Sequence, residues 1–179
     1  MSPDAANARQ ARLSLLAREN LGRRERPVFL TDLSAALGND VEIAHLADLL
    51  LTDVLEGKLT EQYQALVRGS GSGFLRTYST QQSARLFDMT KQMSLKIGRN
   101  RAYLLTKRSN TCGAVIVQAD SAISRAKSLV ALDGDSLRLV SEDQTQGLLL
   151  DWRADDPSEA YELAVWGNRW AAVAHSCDS

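Results

Sequence analysis

Two histidines, two cysteines and a run of carboxylates are the side chains of this 179-residue chain most able to do chemistry. His45 and His175 each fall within a periodic element and have no acid–base partner nearby in sequence, so both read as packed or surface histidines. Cys112 and Cys177 form no Cys-x-x-Cys pair and neighbour no base that would generate a thiolate. They read as free thiols. Asp151, Asp155, Asp156 and Glu159 cluster ahead of a strand. Without the Asp-x-Asp-x-Asp-Gly spacing of a calcium loop, they read as a solvated acidic loop. Neither Gly-x-Ser-x-Gly nor His-Glu-x-x-His occurs. The sequence thus assigns no catalytic residue, metal ligand or cofactor, and it favours a non-enzymatic role.

The remaining chemistry is electrostatic. From Val67 to Arg108, nine basic residues stand against the single acid Asp88, a net of +8; residues 1–66 carry −3 and residues 131–179 carry −7. Arg68, Arg76, Arg85, Lys91, Lys96, Arg99 and Arg101, continued by Lys107 and Arg108, are the candidate anion- or partner-binding residues. Such segregation fits an external polyanion, nucleic acid included, or pairing with the acidic C-terminal region. Aromatic residues in the run are limited to Phe74, Tyr78, Phe87 and Tyr103, a thin platform for stacking bases. Gly69-Ser70-Gly71-Ser72-Gly73 opens the run. It misses both G-x-G-x-x-G and Gly-Lys-Ser/Thr, so it reads as a hinge or loop rather than a phosphate cradle.

Helices come first and strands later. Apolar spacing predicts a helix over residues 4–21, stopped by Gly22, and a short one over 32–37. A longer helix over 41–55, capped by Asn39 or Asp40, carries Ile43, Leu46, Leu50 and Val54 on one stripe. Its apolar surface exceeds half the circumference, as in a buried helix or one shared across a dimer. Leu46, Leu50 and Val54 are therefore the candidate oligomer interface. A further short helix starts at Thr60. A helix-turn-helix around Gly38-Asn39 is disfavoured, because its reading helix would present Glu42, Asp48 and Asp53 to phosphates.

Ser79-Thr80-Gln81-Gln82 is a capping-box start for a helix ending at Gly98, with Leu86, Met89, Met93 and Ile97 inward. Extended structure is expected over 74–78, 101–107, 113–119, 128–132, 136–140, 147–152, 161–166 and 169–175. Hairpin turns fall at Asp133-Gly134 and Gly167-Asn168, and a short helical turn over 122–127. The second hairpin would pair Val165 with Trp170, Leu163 with Ala172 and Tyr161 with Ala174, and stack Arg169 on Trp166. The expected fold is α+β: an N-terminal helical region followed by a mostly antiparallel sheet covered by one helix. The expected organisation is residues 1–68 as the helical region for self-association or partner contact, 69–79 as a Gly/Ser-rich link, and 80–179 as the sheet domain.

Tyr78-Ser79-Thr80, Ser83-Ala84-Arg85-Leu86-Phe87, a strand at Tyr103 to Thr106 and the terminal stretch from Leu163 to Ala174 resemble the layout of DICT-type sensory domains. These are α+β modules of bacterial signalling proteins, and the resemblance covers about residues 70–179. It implies a sensory role and carries over no functional residue; the sequence departs from the family in having no attached output domain, so the output is expected from a partner. With 44% apolar and 24% charged residues, no apolar run near ~20 residues and no secretory signal, the chain reads as cytoplasmic and not membrane-bound. Two functions stay open. One is a regulatory or sensory protein acting by self-association, as a homodimer, and by binding a protein partner. The other is a nucleic-acid or polyanion binder using residues 68–108.

Overall fold

The structure, a computed structural model, describes residues 3–134, 136–153 and 160–178. The helical half is α1 (Pro3–Leu37) and α2 (Leu49–Val67), with a 3₁₀ turn at Ile43–His45 between them. Then come β1 (Gly73–Ser79), α3 (Ser83–Ile97), β2 (Arg101–Leu105), α4 (Ser109–Cys112), β3 (Val115–Gln118), α5 (Ala119–Ser124) and α6 (Ala126–Asp133). The chain ends with β4 (Ser136–Ser141), β5 (Gly147–Arg153), β6 (Ala160–Trp166) and α7 (Asn168–Cys177). The strands form one antiparallel sheet in the order β1-β6-β5-β4-β2-β3. The α+β fold expected from the sequence is the fold observed.

Strand side chains alternate between faces, and here both faces are apolar at their centres. On one, the register aligns Phe74, Val165, Leu148, Leu139, Leu104 and Val115 in a row across all six strands. That row belongs to the main core, which also takes in Leu86, Met89, Met93 and Ile97 of α3 and Trp170 and Ala174 of α7. On the other face, Leu55, Leu59 and Leu66 of α2 pack with Leu105, Val140, Leu149, Ala164 and Trp166. The predicted covering helix is therefore α3, joined on its side by α5, α6 and α7, while α2 closes the opposite side.

Several local expectations are corrected. α1 runs unbroken through Gly22 and Pro27, because tertiary contact outweighs both stop signals. A Cβ at Gly22 would lie 2.0 Å from the Thr111 carbonyl oxygen, so this glycine is a close-approach point against α4. Arg18 Nε and Arg26 Nε donate to the carbonyls of Asn110 and Cys112, at the end of α4, at 2.6 and 3.3 Å. Those carbonyls have no partner within so short a helix. The helix expected over 41–55 does not start at Asn39 or Asp40. Asp48 is the cap, its side chain accepting from Leu51 N–H at 2.7 Å, and α2 continues past Gly57 to Val67.

The Gly/Ser stretch closes α2 and enters the sheet. Gly69 N–H donates to Leu66, and the Ser70 and Gly71 N–H groups both donate to Ala65. Gly73 already pairs with Trp166 in β1. Residues 128–132 are helical, since Ala126, Leu129 and Val130 share a buried helical face. Asp133-Gly134 is the end of that helix, with Gly134 in the left-handed region at φ 91°, not a hairpin. Residues 169–175 are helical as well. Val165 accordingly pairs with Phe74 and Leu148 rather than Trp170, and Leu163 and Tyr161 pair within the sheet. Arg169 donates to the Ile97 carbonyl, so no stack on Trp166 forms.

The two helix glycines make opposite predictions. Gly22→Ala is expected to cost about 1–3 kcal/mol despite alanine's better helix propensity, because its methyl meets backbone. Gly57→Ala, with nothing within 4 Å of the new methyl, is expected to gain about 0.5–1 kcal/mol. Urea unfolding of the two variants checks both signs, and a stabilised Gly22→Ala would break the packing argument.

Candidate functional site

Helix α2 has two faces with different fates. Leu49, Thr52, Leu55, Leu59 and Leu66 are buried. On the opposite side, Leu50 and Val54 stand 64% and 58% exposed, followed along the same outward stripe by Gly57, Glu61, Gln64 and Val67. The third predicted interface residue, Leu46, is not with them. It is half-buried and forms a one-residue bridge to Val115 at the edge of β3. Sequence periodicity placed it on the stripe because the helix was taken to begin too early.

The described side chains early in α1 are open as well. Every side chain from Asn7 to Ser14 is exposed, and Leu13, Leu16 and Leu21 are exposed large apolar groups. The two helices are tied where Arg18 grips both Asp53 oxygens, at 2.9 and 2.7 Å. The hydrogen bond from Arg18 holds the Asp53 carboxyl below the usual carboxylate range. Between Arg9 and Arg26 six arginines stand against two glutamates, whereas α2 and its cap carry four acids against Lys58.

The basic stretch does not form one open patch. Arg76 of β1 and Arg85 of α3 both pair with Asp178, just beyond α7, and Tyr78 Oη–H donates to the same carboxylate at 3.0 Å. Burial, then this hydrogen bond, pushes the Tyr78 phenol well above its ordinary value. Lys96 Nζ donates to Ser176 Oγ at 2.9 Å. Arg101 pairs with Glu142 at 2.8 Å, Lys91 with Asp88, and Arg108 with Asp32. Arg68 and Arg99 are exposed and make no ion pair among the described residues. Much of the +8 segment is thus spent on the chain's own acids, two of them, Glu142 and Asp178, in the C-terminal region.

The residues considered for catalysis lie apart. His45 Nδ1 accepts from Glu42 N–H at 3.0 Å in the 3₁₀ turn. His175 meets Phe74 edge-on at 5.2 Å between centroids. Cys112 is buried, and burial pushes its thiol up, away from thiolate chemistry. Asp151 stands in β5 opposite Glu162, while Asp155, Asp156 and Glu159 lie outside the described residues.

Sequence reasoning passed over a polar cluster under α2. Tyr63 donates to Glu162 at 2.5 Å, and burial with that bond pushes its phenol up to about 12. Arg138, inside the apolar strand Leu137-Arg138-Leu139, bonds both oxygens of Glu56 at 3.0 and 2.9 Å. A charged residue between leucines on a central strand was the available signal. No family model matches this chain, and neither curated proteins nor solved structures show a significant match. Among the described residues, no helix is long and apolar enough to cross a membrane.

Proposed function

We propose that this chain is a non-enzymatic regulatory or sensory protein that acts by self-association, as a homodimer, and by binding a protein partner. The observation that carries the reading is the outward stripe of Leu50 and Val54, on a helix whose opposite stripe is already committed to the sheet. Adjacent exposed apolar groups of this size mark contact surfaces. The basic Arg9–Arg26 segment of α1 and the acidic α2 complement each other, so a second copy offers each helix a partner of opposite charge. The resemblance to DICT-type sensory domains supports the sensory part of this reading.

The alternative, a polyanion reader, draws support from Arg68 and Arg99 alone, because most other basic groups already have acidic or carbonyl partners. Light scattering at ~50 and ~500 mM salt, with absorbance at 260 and 280 nm, separates the two. Twice the chain mass at both salts, with no excess absorbance at 260 nm, is the expected result. A monomer at every concentration would remove the self-association reading. Bound nucleic acid released by high salt, and lost on charge reversal at Arg85 and Lys91, would favour the alternative.

A further inference from the structure

The sheet has two edges, and β3 carries the more informative one. Arg101 O accepts from Glu142 N–H on the β4 side at 3.1 Å, and Asn100 O accepts from Ala119 N–H on the β3 side at 2.7 Å. Backbone groups of successive strand residues turn to opposite sides, so Ala102 and Leu104 face β3 while Arg101 and Tyr103 face β4. By the register, Val115 and Val117 turn inward to β2 and the backbone groups of Ile116 and Gln118 turn outward; the Leu46–Val115 bridge takes up the Ile116 N–H and α5 takes up the C=O of its capping residue Gln118, which leaves the Ile116 C=O and the Gln118 N–H for a further strand. The same parity puts Ala114 O outward, where it accepts from Ala47 N–H at 2.8 Å.

The chain itself therefore begins a seventh strand at Leu46-Ala47 and then leaves it. The 3₁₀ turn Ile43–His45 carries the backbone off the edge just before the positions opposite Ile116, Val117 and Gln118. A cleft of about 360 Å³ remains there, with Leu37, Val41 and Val117 apolar and Asp40, His45 and Gln118 polar in its lining. Its volume is at the small end of the ~300–1,000 Å³ typical of ligand sites. Three extended residues span ~10 Å, the length of edge left open. Charge selects the occupant: Arg101 is neutralised by Glu142, whereas Asp40 has no cationic partner among the described residues.

We infer that this cleft binds a short extended segment of a protein partner. The segment adds as a strand to the free edge of β3, places an aliphatic side chain over Leu37 and Val41, and sets a lysine or arginine against Asp40. Main-chain hydrogen bonds to the Ile116 C=O and from the Gln118 N–H provide the affinity, and Asp40 provides the sign of the charge selected. His45, whose Nδ1 is occupied by Glu42 N–H, keeps Nε2 for the incoming chain. The site is separate from the outer face of α2, so it names a partner surface that self-association leaves free.

Gln118→Pro tests the idea directly. Gln118 has φ −78°, which proline adopts, and its N–H lies on the unpaired side, so the substitution removes one edge donor without breaking a β2–β3 bond. Random seven-residue peptides displayed on phage are selected on the full chain, and the enriched sequences are synthesised and titrated. Enrichment of aliphatic, basic sequences that bind Gln118→Pro at least 10-fold more weakly is expected. Asp40→Asn, at an exposed position that leaves the core untouched, is expected to weaken them about 3- to 10-fold and to flatten their salt dependence. Binding is expected to be unchanged in Leu50→Asp, which separates this site from the α2 face. No enriched peptide, enriched acidic peptides, or equal binding by wild type and Gln118→Pro would each overturn the inference.

Discussion

If the proposed homodimer forms through the α2 face, Leu50→Asp is expected to convert it to a folded monomer. Leu50 is 64% exposed in the isolated chain, so a carboxylate there meets water and should leave the circular dichroism and melting temperature nearly unchanged. In a dimer seam the same carboxylate is desolvated opposite leucines, without a partner. A central apolar anchor of this kind is worth about 2 kcal/mol or more, so the dissociation constant should rise at least ~30-fold. Val54→Asp, one helical turn along the same stripe, should act in the same way. Leu95→Asp is the control: Leu95 is 85% exposed on α3, far from this stripe in the fold, and its replacement should not change the mass. Light scattering over a concentration series reads all three. A Leu50→Asp chain with wild-type mass would exclude the α2 face as the seam.

The contrast between these leucines shows what can be read from sequence. Helix α3 was legible from end to end. The capping box at Ser79 and Gln82 forms on a 3₁₀ turn, Thr80–Gln82, that leads into it, its stripe Leu86, Met89, Met93 and Ile97 is buried, and Gly98 ends it. All of those signals act within a few residues of one another. Leu50 and Val54 were legible as apolar residues on a helix, but which side of α2 would face the sheet depends on Leu105, Val140 and Trp166, far along the chain. The helix α7 was misread because Gly167-Asn168 has hairpin chemistry and residues 169–175 are too short for periodicity to separate strand from helix. Trp170, Ala171 and Ala174, all buried, show the helical spacing once the tertiary partner is known. Gly22 illustrates the converse: its stop signal is overruled by a contact with Thr111, 89 positions later. The basic stretch was correctly seen as segregated charge, yet its meaning lay in Asp178, 102 positions from Arg76.

Arg138→Ala is expected to be the most destabilising single substitution in the cluster beneath α2. The Arg138 side chain is 18% exposed and bridges Glu56 at 2.9 Å, with Asp133 at 4.0 Å, under a helix that excludes most water. Removing it leaves the Glu56 carboxylate without its cation, a loss of about 3 kcal/mol or more, which for a chain this long lowers the melting temperature by roughly 6–12 °C. Restoring packing alone is not enough, because Arg138→Met leaves the Glu56 carboxylate unpaired. The double change Arg138→Met with Glu56→Leu removes the charge along with its partner and should recover much of the loss. Acidity adds a second signature. Burial already raises the Glu56 carboxyl above its ordinary value, against the lowering influence of Arg138. Without Arg138 it rises further. A carboxyl whose folded pKa exceeds its unfolded one favours folding at pH values below the unfolded pKa, and that contribution fades as pH climbs through the folded one. The deficit of Arg138→Ala should therefore shrink as pH falls from neutral toward the ordinary glutamate pKa, where Glu56 takes up a proton and no longer needs a cation. Thermal melts of wild type and variant at neutral and mildly acidic pH measure that narrowing; equal deficits at both would mean that lost packing, not the orphaned carboxylate, sets the cost.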